Sequence, residues 1–120
     1  MRGLKNKIVV ITGGLGDLGY ATAIRLKEEG CTVVLLDLQP DTGNKATAIG
    51  ARFLQADISD EDAVASISAS IEKEVGPVHI LVNTAAYFIF KGIEATAEEW
   101  QKINAVNLIA TSLMAELMML

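Results

Sequence analysis

The sequence predicts an α/β fold, in which a parallel β-sheet is covered by helices on both of its faces. Short apolar runs alternate with stretches of helical periodicity at intervals of roughly 25 residues, the pattern of consecutive βαβ units. Hydrophobic residues make up 51% of the 120 residues, as expected for strands buried on both faces. We therefore expect a single doubly wound domain over residues 1–120 and no second domain.

Each element of this pattern has a local signal. The first strand is an apolar run, and the following helix repeats small and apolar side chains at helical spacing until Gly30 provides a stop. The second strand is rich in β-branched residues, and Pro40 and Gly43 mark the turn into a short, weak helix that ends near Gly50. The predicted strands cover residues 7–12, 32–37, 52–56 and 79–83, and the longer predicted helices cover residues 17–29, 59–75 and 96–120.

The last two helices carry clear start signals. Ser59 begins a capping-box pattern ahead of a stripe of apolar side chains, and Gly76-Pro77 ends that helix. Thr96 begins a second capping box, from which a helical pattern runs to Leu120. Right-handed crossovers between parallel strands then predict the sheet order 3-2-1-4. The expected architecture is a Rossmann-type doubly wound sheet that is incomplete, with about four strands.

Charge and composition exclude several classes of function. The net charge is −5 and the ten Lys and Arg residues are scattered, so we expect no nucleic-acid partner and no membrane surface. The single cysteine, Cys31, fits a reducing compartment and predicts a cytoplasmic protein. The apolar residues 108–120 are interrupted by Glu116 and are fewer than the ~20 of a membrane span. No Cys/His cluster suggests a metal site.

A glycine-rich motif lies where the first strand becomes a helix. Gly14-Leu15-Gly16-Asp17-Leu18-Gly19 matches G-x-G-x-x-G between a strand and a helix, which is the context that the dinucleotide-binding motif requires. The unpaired N–H groups of the first helical turn bind phosphate, and glycine leaves room for it. Asp17 would repel a pyrophosphate, so we expect its carboxylate to point away while its N–H is used. The alternative is a glycine-rich turn that binds nothing.

An acidic residue after the motif favours one cofactor. Asp37 ends the second strand, close to the offset of about 20 residues at which an acid accepts hydrogen bonds from the adenosine ribose. A carboxylate at this position also repels a 2′-phosphate. Leu38 follows it and Leu15 lies in the turn, so no basic residue is available there, and NAD is favoured over NADP. The alternative interpretation of Asp37 is a turn residue at a strand end.

The run from Thr12 to Gly19 resembles the glycine turn of the short-chain dehydrogenase/reductase family, and the resemblance covers the whole chain. The commonest family form, T-G-x-x-x-G-x-G, would place glycine at position 17. This chain instead resembles the T-G-x-x-G-x-x-G form of the extended branch, through Gly13, Gly16 and Gly19. Its downstream motifs are more similar to the commoner single-domain branch, so both branches stay open.

The resemblance implies further cofactor contacts. Ala56-Asp57-Ile58 is similar to the segment whose Asp accepts a hydrogen bond from the adenine amino group, with help from the next N–H. Residues 83–86 stand where the family has N-N-A-G, and Asn83 and Ala85 match that motif. The implied NAD-binding set is Gly13, Gly16, Asp17, Leu18, Gly19, Asp37, Leu38, Asp57, Ile58, Asn83 and Ala85.

One residue of the catalytic machinery is implied within this chain. Val106-Asn107-Leu108 resembles the stretch that carries the family's active-site asparagine, and carried over, Asn107 would hold a water in a proton relay. An asparagine inside a helix competes for backbone hydrogen bonds, so some special role is expected. The alternative is a structural asparagine that bonds a neighbouring carbonyl.

The resemblance implies hydride transfer between NAD and an alcohol or ketone, catalysed by a Ser, a Tyr and a Lys beyond the Asn107 helix. Tyr87 and Lys91 match Tyr-x-x-x-Lys, but in a loop before Asn107, so we interpret the match as coincidence. The 120 residues alone are then expected to be inactive. The resemblance also implies a homo-oligomer through the apolar C-terminal helix. The alternatives are a non-catalytic NAD-binding or interaction module, or an inert fragment.

Overall fold

The protein is represented by a computed structural model that describes residues 2–88 and 91–119. The strands are β1 (Ile8–Thr12), β2 (Thr32–Asp37), β3 (Arg52–Gln55) and β4 (Ile80–Asn83). The helices are α1 (Asp17–Glu28), α2 (Lys45–Ala48), α3 (Glu61–Glu74), α4 (Ala97–Asn104) and α5 (Thr111–Met119), with a π-helical segment (Ala105–Ala110) before α5. The sheet is parallel, with the order β3-β2-β1-β4, which confirms the predicted α/β, Rossmann-type architecture.

The centre of the sheet is the most deeply buried part of the molecule. All five residues of β1 are buried, because β1 pairs on one side with β2 and on the other with β4. In this register Ile11 lies between Leu35 and Val82. Each fully buried aliphatic side chain of this kind stabilises the fold by about 1.5–3 kcal/mol. The core therefore fixes the strand ends from which the loops of the site depart.

Alternate residues of the central strands face opposite sides of the sheet, as the strand period of two requires. Helices α1 and α2 cover one face, where the buried residues are Val9, Ile11, Ala23, Cys31, Val33, Leu35 and Ala46. Helix α3, the π-helical segment and α5 cover the other face, where the buried residues are Val10, Val34, Leu36, Ile58, Val64, Ile71, Ala110, Met114 and Met118. The buried thiol of Cys31 donates to the Leu4 carbonyl, and desolvation raises its pKa, so it is a weak nucleophile.

The predicted start of α3 was wrong by one residue. Asp60, and not Ser59, is the N-cap, because the Asp60 carboxylate accepts hydrogen bonds from the N–H groups of Asp62 and Ala63 at 3.0 and 3.2 Å. A carboxylate at this position also interacts favourably with the positive end of the helix dipole. At α4 the predicted N-cap is confirmed, since the Thr96 hydroxyl accepts from the Glu99 N–H at 3.1 Å.

The C-terminal helix is not continuous as predicted. It widens into the π-helical segment over Ala105–Ala110 and returns to α-helix at Thr111. The widening contains Asn107, whose side chain bonds outside the helix, and such bonding competes with regular helical geometry. Leu120, where the predicted helix ends, lies outside the described residues. Within residues 2–88 and 91–119, no helix combines the length and apolar character needed to cross a membrane.

Gly19 lets α1 approach the β1–α1 turn and the loop after β4. A Cβ at this position would overlap the Gly13 carbonyl oxygen and lie 2.7 Å from the Thr84 hydroxyl oxygen. Backbone atoms of a turn cannot move aside without displacing the strand before it. The contact between these three segments therefore requires glycine at position 19.

We expect Gly19→Ala to lower the free energy of unfolding by about 1–3 kcal/mol, the usual cost of forcing extra atoms into a packed site. Gly43→Ala is the matched control, because a Cβ at Gly43 would meet nothing closer than the Lys45 side chain at 3.8 Å. Urea unfolding followed by circular dichroism measures both variants. Equal midpoints for the two variants would show that the close approach at Gly19 does not limit stability.

Candidate functional site

A cavity of about 580 Å³ opens at the carboxyl ends of the strands. This is the edge at which open α/β sheets bind their ligands, and the volume is within the roughly 300–1,000 Å³ of small-molecule sites. Four groups of residues line it: the β1–α1 turn, the end of β2, the segment after β3, and the loop after β4 with α4. These residues are Gly13, Gly16, Leu36, Asp37, Leu38, Gln39, Ala56, Asp57, Ile58, Ser59, Thr84, Ala85, Ala86, Tyr87, Lys102, Ala105 and Val106.

The β1–α1 turn presents backbone to this cavity. Gly13 has a φ of +65°, and a Cβ there would lie 2.8 Å from the Ala85 nitrogen, so both backbone conformation and space require glycine. Gly16 is the N-cap of α1, and no side chain of the described residues caps that terminus. The first N–H groups of α1 therefore keep the unpaired donors that a helix N-terminus offers to an anion.

The two candidate glycine spacings have different places in the structure. Gly14 faces the sheet, because its N–H donates to the Leu36 carbonyl and a Cβ at this position would lie 2.8 Å from the Leu35 Cβ. Gly13 and Gly16 line the cavity instead, so the T-G-x-x-G-x-x-G spacing describes the turn better than G-x-G-x-x-G. This arrangement leaves Gly14 a packing role.

Three of the residues predicted to bind NAD lie at the start of α1 and do not line the cavity. Asp17 is the exposed first residue of the helix, and Leu18 behind it is 78% exposed. Gly19 is buried against the turn. The exposed position of Asp17 is compatible with a carboxylate that points away from the cavity, as the sequence analysis expects.

Asp37 connects the end of β2 to the glycine turn. Its Oδ2 accepts the Leu15 N–H and its Oδ1 accepts the Gln39 N–H, both at 3.0 Å. Each carboxylate oxygen can accept a second hydrogen bond, so the group can still receive hydroxyl donors from the cavity side. Leu38, the next residue, is 56% exposed and lines the same end of the cavity.

A second carboxylate lies after β3. Asp57 Oδ1 accepts hydrogen bonds from the Ser59 N–H at 3.0 Å and from the Ser59 hydroxyl at 2.6 Å. Among the described residues, none donates to Asp57 Oδ2, which leaves that oxygen available to a ligand. Ile58 is buried and forms apolar cavity wall beside it. Sequence reasoning missed Ser59 as the residue that orients Asp57.

The loop after β4 is tied to the end of β1. The Thr84 hydroxyl donates to the Thr12 carbonyl at 2.5 Å, and the Ala85 N–H donates to the Thr12 hydroxyl at 3.2 Å. No local pattern in the sequence indicates this bond, which joins residues 72 positions apart. Asn83 pairs with Thr12 in the strand register, is exposed, and does not line the cavity, whereas Ala85 does.

Asn107 has both of its side-chain polar groups engaged. Its Oδ1 accepts the Tyr87 N–H at 2.7 Å, and its Nδ2 donates to the Tyr87 carbonyl at 2.9 Å. Asn107 does not line the cavity, although Tyr87 does. The Lys102 ammonium lies 4.2 Å from the centre of the Tyr87 ring, and Lys91 pairs with Glu99 at 2.8 Å. The Lys91–Glu99 pair favours coincidence for the Tyr-x-x-x-Lys match, and two of the three residues between Tyr87 and Lys91 lie outside the described part.

Among the described residues, no group of three His, Cys, Asp or Glu side chains is placed to hold a metal ion. The polar groups around the cavity are backbone N–H donors at the turn, the Asp37 and Asp57 carboxylates, which accept hydrogen bonds, and the Lys102 ammonium. These groups suit a ligand that has phosphates near the turn and hydroxyl or amino donors near the two carboxylates.

Comparisons with known proteins agree with this geometry. A family model described as short chain dehydrogenase matches residues 7–119. The NADP-dependent (R)-specific alcohol dehydrogenase of Lentilactobacillus kefiri is 40% identical over 111 residues, which cover 88% of this chain and 44% of that protein. The NAD-dependent glycerol dehydrogenase of Listeria innocua is 32% identical over 118 residues, which cover 95% of this chain and 46% of that protein.

A solved structure extends the comparison to three dimensions. The ligand-free aldohexose dehydrogenase of Thermoplasma acidophilum superposes with a TM-score of 0.86 at 28% identity, covering 96% of this chain and 44% of that one. The chain thus spans less than half the length of the curated relatives that it matches.

We expect Thr84→Val to lower the free energy of unfolding by about 0.5–1.5 kcal/mol, because valine keeps the shape but loses the hydrogen bond to Thr12. Thr84→Ser keeps the hydroxyl and is the matched control. Urea unfolding midpoints measure the difference. An unfolding midpoint of Thr84→Val equal to that of the unaltered chain would show that the hydrogen bond to Thr12 does not support the loop.

Proposed function

We propose that this chain, which belongs to the short-chain dehydrogenase/reductase family, binds NAD as the cofactor-binding part of an oxidoreductase acting on an alcohol or a ketone. The bound cofactor would supply the hydride chemistry. The observation that carries the proposal is the Asp37 carboxylate, held beside the glycine turn by the Leu15 N–H.

The residues around the cavity fit a dinucleotide. The uncapped N-terminus of α1 would hold the pyrophosphate through backbone N–H groups, and Gly13 and Gly16 leave room for close approach. In this proposal the turn residues Asp17, Leu18 and Gly19 contribute main-chain donors and not side chains. The dipole of a twelve-residue helix stabilises the negative charge there.

Asp37 would accept hydrogen bonds from the adenosine ribose and disfavour a 2′-phosphate. Its two oxygens are already oriented by backbone N–H groups, so little ordering is needed when hydroxyl donors arrive. The named relatives include one NADP-dependent and one NAD-dependent enzyme, so membership of the family leaves the choice open. In this chain the choice follows from the carboxylate at Asp37 and the neutral side chain at Leu38.

The far end of the cavity suits an adenine ring. Asp57 Oδ2 would accept the exocyclic amino group, with Asp57 Oδ1 held by Ser59. Ile58 and Leu38 would supply apolar contact to the ring. Fixing the carboxylate in advance lowers the entropy lost on binding.

On the nicotinamide side we propose contacts from the loop after β4. Ala85 lines the cavity there, and Asn83 stands at the strand end beside it. Because Tyr87 occupies both polar groups of the Asn107 side chain, a water of a proton relay would be held by the Asn107 main-chain carbonyl or by a second lone pair of its Oδ1.

The NAD preference is tested by fluorescence titration of the chain with NADH and with NADPH. We expect NADH to bind at least about tenfold more tightly, a difference of about 1.4 kcal/mol, and Asp37→Asn to remove most of that ratio. Asp17→Asn is the control, because it removes one carboxylate at the other end of the turn and should leave the ratio unchanged.

Two results of this titration would contradict the proposal. Equal affinities of the unaltered chain for NADH and NADPH would exclude the preference assigned to Asp37. Binding of neither dinucleotide would exclude the cofactor site and favour an inert fragment.

We also propose a homo-oligomer through the C-terminal helix. Leu108 and Ile109 are 63% and 54% exposed on the π-helical segment, and large apolar side chains exposed together favour association.

We expect sedimentation velocity to show a dimer or larger species and Leu108→Glu to shift it toward the monomer. Leu18→Glu, the same change at the glycine turn, is the control. A monomeric unaltered chain at micromolar concentration would contradict this proposal.

A further inference from the structure

Lys45 contacts the glycine turn from a distant part of the chain. It is the first residue of α2, and its ammonium donates to the Leu15 carbonyl at 2.8 Å across a separation of 30 residues. The side chain is half-buried. Nothing in the glycine motif or in the Asp37 argument predicts this contact.

Leu15 is thereby held on both sides. Its N–H donates to Asp37 Oδ2 at 3.0 Å, while its carbonyl accepts from Lys45. The N–H group and the carbonyl of Leu15 belong to consecutive peptide units, Gly14–Leu15 and Leu15–Gly16. The two hydrogen bonds therefore fix the orientations of both units. The second unit joins Leu15 to Gly16, the N-cap of α1, and its orientation sets the direction from which the helix N-terminus meets the cavity.

The Lys45 backbone is itself well anchored. The Asp41 carboxylate accepts the N–H groups of Lys45 and Ala46, each at 2.9 Å, and the Tyr20 hydroxyl donates to the Lys45 carbonyl at 2.8 Å. The ammonium also lies 4.3 Å from the centre of the Tyr20 ring, a favourable cation–π contact. The position of the ammonium is therefore determined by α1, α2 and the turn together.

The charge of Lys45 is directed to the turn. Of the ion pairs formed within residues 2–88 and 91–119, none includes Lys45. A hydrogen bond from an ammonium to a carbonyl is stronger than one between neutral groups. Leu15 thus receives a charge-assisted bond from an ammonium that forms no ion pair with a described carboxylate.

A second cavity lies beside the turn, on the side of α2. About 370 Å³ of space separates the turn from the segment before α2, and it shares Gly16, Asp37 and Gln39 with the main cavity. Leu15 and Lys45 are both part of its lining. The Lys45 ammonium reaches the Leu15 carbonyl beside this open space.

We propose that Lys45 is a positioning residue for the dinucleotide, whose ammonium holds the Leu15 carbonyl so that the turn presents its N–H groups to phosphate. The inference rests on the proposed function. It assigns no contact between Lys45 and the cofactor.

The test compares Lys45→Met, which keeps the length and loses the charge, with Lys45→Arg and with Lys73→Met, the same change on the exposed surface of α3. NADH titration should show about tenfold weaker binding for Lys45→Met, or about 1.4 kcal/mol, with the two other variants within twofold of the unaltered chain. NADPH binding should weaken by the same factor. A loss confined to NADPH would instead make Lys45 a direct 2′-phosphate partner and overturn the positioning role.

A second readout needs no ligand. Amide hydrogen exchange at Leu15 and Gly16 should become faster in Lys45→Met, while exchange in α3 stays unchanged. Unchanged exchange at the turn, or unchanged NADH affinity, overturns the inference about Lys45. Absence of NADH binding in the unaltered chain overturns the proposed function as well. That result differs from a failure of the Lys45 inference alone, in which the unaltered chain and Lys45→Met bind NADH equally well. Lys45→Gln provides the same readouts if the methionine variant unfolds.

Discussion

The site depends on the close approach of three backbone segments at the carboxyl end of β1. The β1–α1 turn, the first turn of α1 and the loop after β4 meet with so little space that Gly13 and Gly19 cannot carry a side chain. Hydrogen bonds from Thr84 and Ala85 to Thr12 hold the contact together. Because β1 lies between β2 and β4, this junction is attached to the most deeply buried part of the sheet. A displacement of any one segment would change the shape of the cavity.

Electrostatics at the junction are organised by backbone and side chains together. The positive end of α1 faces the cavity without a capping side chain, while Asp37 and Asp57 are placed at the ribose and adenine ends of the proposed ligand. Asp37 is oriented by hydrogen bonds that it accepts from the N–H groups of Leu15 and Gln39. Asp57 is oriented by hydrogen bonds that it accepts from the N–H group and the hydroxyl of Ser59. The two carboxylates thus lie where the proposed ligand has neutral hydroxyl and amino donors. The unpaired N–H groups of α1 lie where its phosphates are expected.

Much of this arrangement was visible in the sequence, and the departures have local causes. The strand order and the cavity-facing Gly13, Gly16 and Asp37 were anticipated. The start of α3 was misplaced by one residue, because two adjacent residues, Ser59 and Asp60, are both good N-caps and only their contacts separate them. The π-helical segment was not predicted, since its widening accompanies bonds between Asn107 and a loop twenty residues away.

The sequence by itself determined the sheet, its order and the glycine turn, because apolar periodicity, β-branched runs and glycine act over a few neighbouring residues. Only the tertiary structure decided which side chains hold that turn in place. Lys45 reaches Leu15 across 30 residues and Thr84 reaches Thr12 across 72. No spacing rule encodes such contacts, since they arise only when packing of the sheet and helices brings distant segments within hydrogen-bonding distance.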